Sequence, residues 1–323
     1  MKQIICLHSL TPEQIQQLEE AAPGYEFIVK NKKDLSPELI QNAEVFLGWS
    51  KTIAETALQE NSKLKWVQTW SAGVDTLPLE RLREKGILLT NASGVHAIPL
   101  SESIFAMMLS FPRQIYAAVR NQMQNKWDST LSAPGLTTLG EINGKTLVIA
   151  GVGEIGRETA RLAKAFGMRV IGVRRSDKPE PNVDRMYTLD GLHEALGQAD
   201  YIVNVLPLTN ETRHIFNASA WNAAKNGAVF INVGRGPTVD TNALIEALNQ
   251  GRIGGAALDV FEEEPLPAEH PLWSMEQVVI TPHIAGDNDR YAERVIEIFT
   301  ENLKAYVQGQ KPPRNLVDYE RMY

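Results

Sequence analysis

Short apolar runs recur along the chain, each followed by a polar stretch with helical spacing. Residues 2–7 read as a strand. The Thr11-Pro12-Glu13-Gln14 that follows supplies a hydroxyl cap, a proline in the first turn and a polar side chain at the third helical position. Ser36-Pro37-Glu38 repeats that signal before a second short helix. Further strands are expected at 44–49, 66–70 and 87–90, and strands alternating with helices imply a parallel, layered unit.

Residues 99–127 are mostly helical in pattern, with Ile104, Met107, Met108, Phe111 and Ile115 at helical spacing, and Pro112 predicts a kink or break there. Residues 129–144 are polar and contain glycine, so a long exposed loop is expected. From Thr146 the alternation restarts, with strands at Thr146–Ala150, Arg169–Val173, 201–206, 228–233, 255–259 and 278–281. Ile155, Thr159, Leu162, Ala163 and Phe166 mark one face of the helix after the first of these. A helix at 240–249 is closed by Gly251, and a last helix at 287–308 carries Val295, Ile298, Phe299, Leu303 and Tyr306 on its apolar face. The whole reads as an α/β chain of two Rossmann-like or flavodoxin-like lobes. A dinucleotide-binding domain at 100–286 is inserted into a substrate domain made of 1–99 and 287–323, with hinges at the crossings and a cleft between.

Composition narrows the partners. At 323 residues, 43% hydrophobic and 22% charged, the chain fits a two-domain water-soluble enzyme. A net charge of −7 gives no reason to expect nucleic acid or an anionic membrane surface, while small anions remain compatible with local basic groups. Cys6 is the single cysteine, which excludes an intrachain disulfide and a cysteine-rich metal site; no metal is expected. No apolar stretch approaches eighteen residues, and a cytoplasmic location is the default expectation.

Gly151-Val-Gly153-Glu154-Ile155-Gly156 follows a strand and opens a helix, the context in which three glycines hold a dinucleotide. Gly151 permits the tight turn, Gly153 lets backbone N–H groups approach a pyrophosphate, and Gly156 lets helix and strand pack closely. The helix N-terminus adds partial positive charge. The end of the next strand sets cofactor preference. NAD-selective sites usually carry an acidic side chain there, whereas this chain has Arg174, Arg175 and Ser176, which suit a 2′-phosphate. The reading favours NADP over NAD.

The chemistry-bearing groups lie downstream. Arg235, in Asn-Val-Gly-Arg-Gly, directly follows a strand, so its guanidinium is expected at the sheet's carboxyl edge, able to hold the carboxylate and carbonyl oxygen of a 2-oxo acid. Glu264, in Glu-Glu-Glu-Pro, and His283, in Thr-Pro-His, follow the next two strands; a carboxylate beside an imidazole favours the imidazolium, which can protonate a carbonyl oxygen. Glu262 and Glu263 read as solvated neighbours. His8, His96, His193, His214 and His270 lack this combination, although His96 in Gly-Val-His is a candidate to line the substrate cleft.

Taken in order, Gly-Val-Gly-Glu-Ile-Gly, Asn-Val-Gly-Arg-Gly, Ala-Ala-Leu-Asp-Val-Phe-Glu-Glu-Glu-Pro and Thr-Pro-His-Ile-Ala-Gly resemble the D-isomer-specific 2-hydroxyacid dehydrogenases. The resemblance extends to Ser71-Ala72-Gly73-Val74-Asp75 and 91–96. It implies Arg235, Glu264 and His283 as catalytic residues, and the Ala72, Gly73 and Val74 backbone beside the substrate carboxylate, with Arg235 and His283 also touching substrate. It further implies Asp259 near the nicotinamide carboxamide, and Glu154, Ile155, Pro207, Thr212 and Val233 along the cofactor. Homodimerisation through 99–144 is a further implication. Arg174 departs from the aspartate common in the family, and Pro112 departs within the dimer helix. The activity implied is NAD(P)-dependent interconversion of a small 2-oxo acid and a D-2-hydroxy acid. The alternatives are a phosphoglycerate dehydrogenase-like activity and a nucleotide-sensing, corepressor-like binding protein, which turnover distinguishes.

Overall fold

The computed structural model describes residues 1–74, 76–128 and 139–319. The chain divides into two compact units, Met1–Val95 with Asn288–Tyr323, and His96–Asp287. The first crossing thus falls four residues before the expected position. His96 belongs with the second unit, where its Nδ1 lies 3.0 Å from the Gly286 carbonyl oxygen.

The first unit is built on β1 (Lys2–Cys6), β2 (Tyr25–Val29), β3 (Ala43–Leu47), β4 (Trp66–Gln68) and β5 (Leu88–Thr90), all parallel in the order β2-β1-β3-β4-β5. Every residue of β3 is buried, as a strand covered by helices on both faces requires. The helix Pro12–Ala21 starts where the capping signal put it: Thr11 Oγ1 accepts from Gln14 N, and the Gln14 side chain accepts from Thr11 N. The C-terminal helix Tyr291–Val307 completes this unit, burying Val295, Ile298, Phe299 and Leu303 against Ile4, Val45 and Trp66. It begins four residues later than the periodicity suggests, because the Asn288 side chain accepts from Arg290 N and Arg294 Nη1 and holds a turn first.

Seven parallel strands form the second unit: β6 (Thr146–Ala150), β7 (Arg169–Val173), β8 (Arg185–Tyr187), β9 (Tyr201–Asn204), β10 (Ala228–Asn232), β11 (Ile253–Leu258) and β12 (Val278–Ile280). Their order is β12-β11-β10-β9-β6-β7-β8. Chain order reverses at β6 and β9, the position where doubly wound sheets open a crevice for ligands. Two cores flank the sheet. One gathers Phe216, Trp221 and Phe230, while the other includes Ile104, Met108 and Phe111 from the helix Ala97–Ser110 and its end. Pro112 ends that helix and a second one starts at Ile115, with Gln114 between them at φ 55°, so the expected break is present.

Of the loop expected at 129–144, residues 129–138 lie outside the described residues, as does Asp75. Ile142 in the described part is buried rather than exposed. Among the described residues no helix is long and apolar enough to cross a membrane.

Candidate active site

In the second unit, six neighbouring strand ends carry the residues singled out from sequence. Reading across the sheet, β12 leads to His283, β11 to Asp259 and Glu264, β10 to Val233 and Arg235, and β9 to Pro207 and Thr212. Next, β6 leads to Gly151–Gly156 and β7 to Arg174–Ser176. Because all are parallel, every one of these segments emerges at the carboxyl edge. Ala72, Gly73 and Val74 follow β4 in the first unit, at the carboxyl edge of its own sheet. Val74 is buried, and Asn91 Nδ2 donates to the Ala72 carbonyl oxygen at 2.9 Å.

The three glycines have distinct surroundings. Gly151 stands at φ 107°, and a Cβ there would come within 2.8 Å of the Val205 backbone. A Cβ on Gly156 would lie 2.3 Å from the Gly151 oxygen. At Gly153, which caps the helix Glu154–Ala165, a Cβ would meet open space among the described residues. The outer two therefore let the β6, β9 and helix backbones close up, while the middle one leaves an open approach to the helix N-terminus. That is the cradle a pyrophosphate requires, and these residues fit a dinucleotide.

Arg174 reaches back to this loop. Its Nη1 donates to the Val152 oxygen and to Glu180 Oε2 at 2.6 Å, its Nη2 to the Lys178 oxygen, and its Nε to the Ser176 oxygen. Arg157 grips the same carboxylate at 2.9 Å. Arg157, and then Arg174, hold the Glu180 carboxyl below the usual carboxylate range. Glu154 is exposed and pairs with Arg157 at 2.5 Å. Thr212 is buried, its hydroxyl donating to the Pro207 oxygen at 2.6 Å and accepting from Thr209 N at 2.8 Å, which shapes the segment after β9.

Arg235 sits between two glycines for a steric reason. A Cβ on Gly234 would come 2.9 Å from the Leu206 oxygen, and one on Gly236 would fall 1.8 Å from the Phe261 oxygen. The loop is thereby pressed against the segments after β9 and β11, leaving Arg235 exposed between them. Among the described residues its guanidinium donates only locally, Nη1 to the Gly234 oxygen at 2.8 Å.

His283 and Glu264 meet. His283 Nδ1 lies 2.7 Å from Glu264 Oε2, and the other carboxylate oxygen accepts from Phe261 N at 2.9 Å. Burial pushes the Glu264 carboxyl up. The bonds from His283 and Phe261 N, with the Arg235 charge nearby, outweigh that and hold it below the usual range. With Nδ1 donating to this anion, Nε2 is the ring nitrogen left without a hydrogen-bond partner among the described residues. The His283 backbone occupies the left-handed region at φ 55°. Its N–H is fixed there by the Asp259 and Thr281 oxygens.

Asp259 organises this turn from beneath. Buried to 2% exposure, its carboxylate accepts from the Thr281 hydroxyl at 2.5 Å and from the N–H groups of Ile284 and Ala285. It thus orders both sides of His283, a task the sequence pattern does not reveal. A second such network escapes the sequence reading altogether. Asn204 and Asn232 end β9 and β10 and are fully buried. Asn204 Nδ2 donates to Asn232 Oδ1 and to Thr238 Oγ1, and the Thr238 hydroxyl donates to the Arg235 oxygen at 2.6 Å. Asn232 Oδ1 also accepts from Gly234 N. The available signal was two asparagines, each closing a strand just before a proline- or glycine-bearing loop.

Two readings need correction. His214 does have an acidic partner, its Nε2 lying 2.6 Å from Glu262 Oε1. Glu262 is therefore no mere solvated neighbour, and its other oxygen accepts from Thr241 N at 2.9 Å. Sequence spacing could not bring residues 214 and 262 together, since the pairing depends on the order of β9, β10 and β11. Elsewhere, His8 stacks on Trp70 with ring centroids 4.1 Å apart, within the first unit.

Comparison with known proteins gives a consistent picture. Residues 105–285 match the family model for the D-isomer specific 2-hydroxyacid dehydrogenase, NAD binding domain. The glyoxylate reductase of Aeropyrum pernix is 38% identical over 265 residues, 81% of this chain and 79% of that protein. A glyoxylate/hydroxypyruvate reductase B of Citrobacter koseri is 33% identical over 98% of both chains. Among solved structures, the NADPH-dependent glyoxylate/hydroxypyruvate reductase of Sinorhizobium meliloti, in complex with NADP and sulfate, is 30% identical with a TM-score of 0.74 over 100% of both chains. A D-isomer specific 2-hydroxyacid dehydrogenase family protein from Aeromonas salmonicida is 35% identical with a TM-score of 0.79, covering 98% and 99% of the two chains.

Proposed function

This chain belongs to the D-isomer-specific 2-hydroxyacid dehydrogenases, and on that premise we propose that it reduces a small 2-oxo acid such as glyoxylate or hydroxypyruvate, with His283 as proton donor, Glu264 as its partner and Arg235 orienting the substrate. The observation that carries this reading is the 2.7 Å contact between His283 Nδ1 and Glu264, on a loop beside the one that bears Arg235.

A bound nicotinamide cofactor supplies the hydride. The Gly151–Gly156 backbone and the N-terminus of the following helix hold its pyrophosphate, with Ile155, Pro207, Thr212 and Val233 along its length. Asp259 acts through the loop of residues 281–285, which its carboxylate orders. Arg235 pairs with the substrate's carboxylate and carbonyl oxygens, using the planar fork that suits two acceptors at once. His283 then delivers its Nε2 proton to the carbonyl oxygen, and Glu264 keeps the ring oriented and offsets the imidazolium charge. In the reverse direction the neutral ring accepts the hydroxyl proton.

The preference goes to NADP over NAD. What supports it is the sequence at the end of β7: Arg174, Arg175 and Ser176 follow the strand directly, where an NAD-selective site usually carries an acidic side chain. The test is a panel of 2-oxo acids against NADPH and NADH. Turnover should be measurable and favour NADPH. Arg174→Ala should raise the KM for NADPH about 10- to 100-fold, the loss of one or two charge-assisted bonds, and the KM for NADH far less. Equal effects on both cofactors would remove the phosphate reading, and no turnover would leave a nucleotide sensor.

A homodimer completes the proposal. The helix Ile115–Met123 exposes Ile115, Val119 and Met123 at four-residue spacing, an apolar stripe that a second copy would cover. Sedimentation equilibrium checks it, and a monomer at micromolar concentration refutes it.

A further inference from the structure

The connections after β9, β10 and β11 meet at one place. His214 N donates to the Pro237 oxygen, Phe216 N to the Thr238 oxygen and Asp240 N to the Phe216 oxygen, joining the first connection to the second. Gly236 and Phe261 touch backbone to backbone, joining the second to the third. Across all three lies the Glu262 carboxylate, with Oε1 2.6 Å from His214 Nε2 and Oε2 accepting from Thr241 N at 2.9 Å. Burial pushes this carboxyl up, yet its bonds to Thr241 and His214 outweigh that and hold it below the usual range, so it is an anion at neutral pH. Two residues later, Glu264 bonds Phe261 N and His283. The turn 261–264 is thus pinned from one side by Glu262, and from its other side it presents Glu264 to the imidazole.

We propose that Glu262 and His214 form a clasp that positions the Glu264-bearing turn, so that both are positioning residues for the acid–base pair. The inference rests on the function proposed above. A glutamate holds an imidazole at 2.7 Å only if its backbone stays in place, and a shift of about 1 Å at a reacting group can cost two orders of magnitude in rate. The pair itself is partly exposed, 44% for His214 and 33% for Glu262, so it adds little to global stability. Its effect should therefore appear in catalysis rather than in the melting temperature. Among the described residues, Arg235 on the loop after β10 acts on Glu264 and Asp259 just after β11 bonds the His283 turn, and neither touches Glu262 through a hydrogen bond or ion pair.

The test uses the full chain with NADPH and glyoxylate, comparing Glu262→Ala, Glu262→Gln and His214→Ala. The measurements are kcat and KM from pH 5 to 10, NADPH affinity by fluorescence, and the melting temperature. Glu262→Ala should lower kcat about tenfold and shift the alkaline limb of the kcat profile to lower pH, because the imidazolium loses a steady counter-charge. NADPH affinity should hold. Glu262→Gln keeps an oxygen for Thr241 N and an amide for His214, and should recover most of the rate. His214→Ala should move the profile in the same direction as Glu262→Ala. An unmoved profile with unchanged kcat in Glu262→Ala overturns the inference. So does a fall in kcat that leaves the profile in place and tracks a lowered melting temperature. Turnover in the unmodified enzyme separates either result from a failure of the proposed function; no turnover with any 2-oxo acid overturns both.

Discussion

Replacing His283 with asparagine is expected to lower kcat for 2-oxo acid reduction about a thousandfold, within the range that a positioned general acid contributes, and to leave NADPH affinity near its original value. Asparagine can still reach towards Glu264 but has no second ring nitrogen and no acidic proton to give. The separation between kcat and cofactor affinity follows from placement: His283 extends from β12, whereas the glycine loop follows β6, four strands away across β11, β10 and β9. Stopped-flow single turnovers and fluorescence titration check the two halves. Turnover within tenfold of the original enzyme would end the assignment. Acidification carries its own expectation. The Glu264 carboxyl is held below its ordinary value, so its charge, and the support it gives His283, are present at neutral pH and lost only as pH falls through that lowered value. Activity lost between pH 7 and 5 would therefore have another origin.

Arg235→Ala should reduce kcat/KM by about 10²- to 10³-fold, through both a raised KM for the oxo acid and a lowered kcat, since a bidentate cation orients the substrate and meets charge that develops on the carbonyl oxygen. Arg235→Lys should recover only a small part, because an ammonium keeps the charge and loses the fork. The surroundings make this residue a clean target. Among the described residues its side chain hydrogen-bonds its neighbour's carbonyl alone, so truncation orphans no distant partner there. The loop itself is held by the Thr238 hydroxyl and the glycines on either side, which the substitution leaves intact. Steady-state kinetics at saturating NADPH measure the effect, and a KM change alone, with kcat unmoved, would reduce Arg235 to a uniform binding group.

Much of this architecture was legible in the residue pattern, and the exceptions have physical causes. The central strands announce themselves because both faces are buried, as in β3 and β10, where every position is apolar or sequestered. Two edge strands went unseen. β2 is partly exposed and carries Glu26 at its second position, and β8 is a three-residue strand that starts with an exposed arginine, so neither presents the continuous apolar run of a covered strand. The individual groups of the candidate site were readable because each follows a strand and has a distinctive neighbour. What holds them was not. Asp259 could be read as a group near the cofactor but not as the anchor of the His283 turn, and Asn204, Asn232 and Thr238 look like ordinary polar residues at strand ends. His214 and Glu262 are 48 residues apart, and their meeting depends on strand order, which no local window contains.

Arg174 and His283 follow β7 and β12, strands that lie five spacings apart in one sheet. At about 4.8 Å per spacing that is roughly 24 Å, well beyond the distance of about 8 Å over which ions screen exposed charges at physiological salt. Nucleotide choice and proton handling are therefore electrically insulated from each other. Recharging the β7 end to accept a different coenzyme would leave the acid–base machinery at the far end of the sheet working as before.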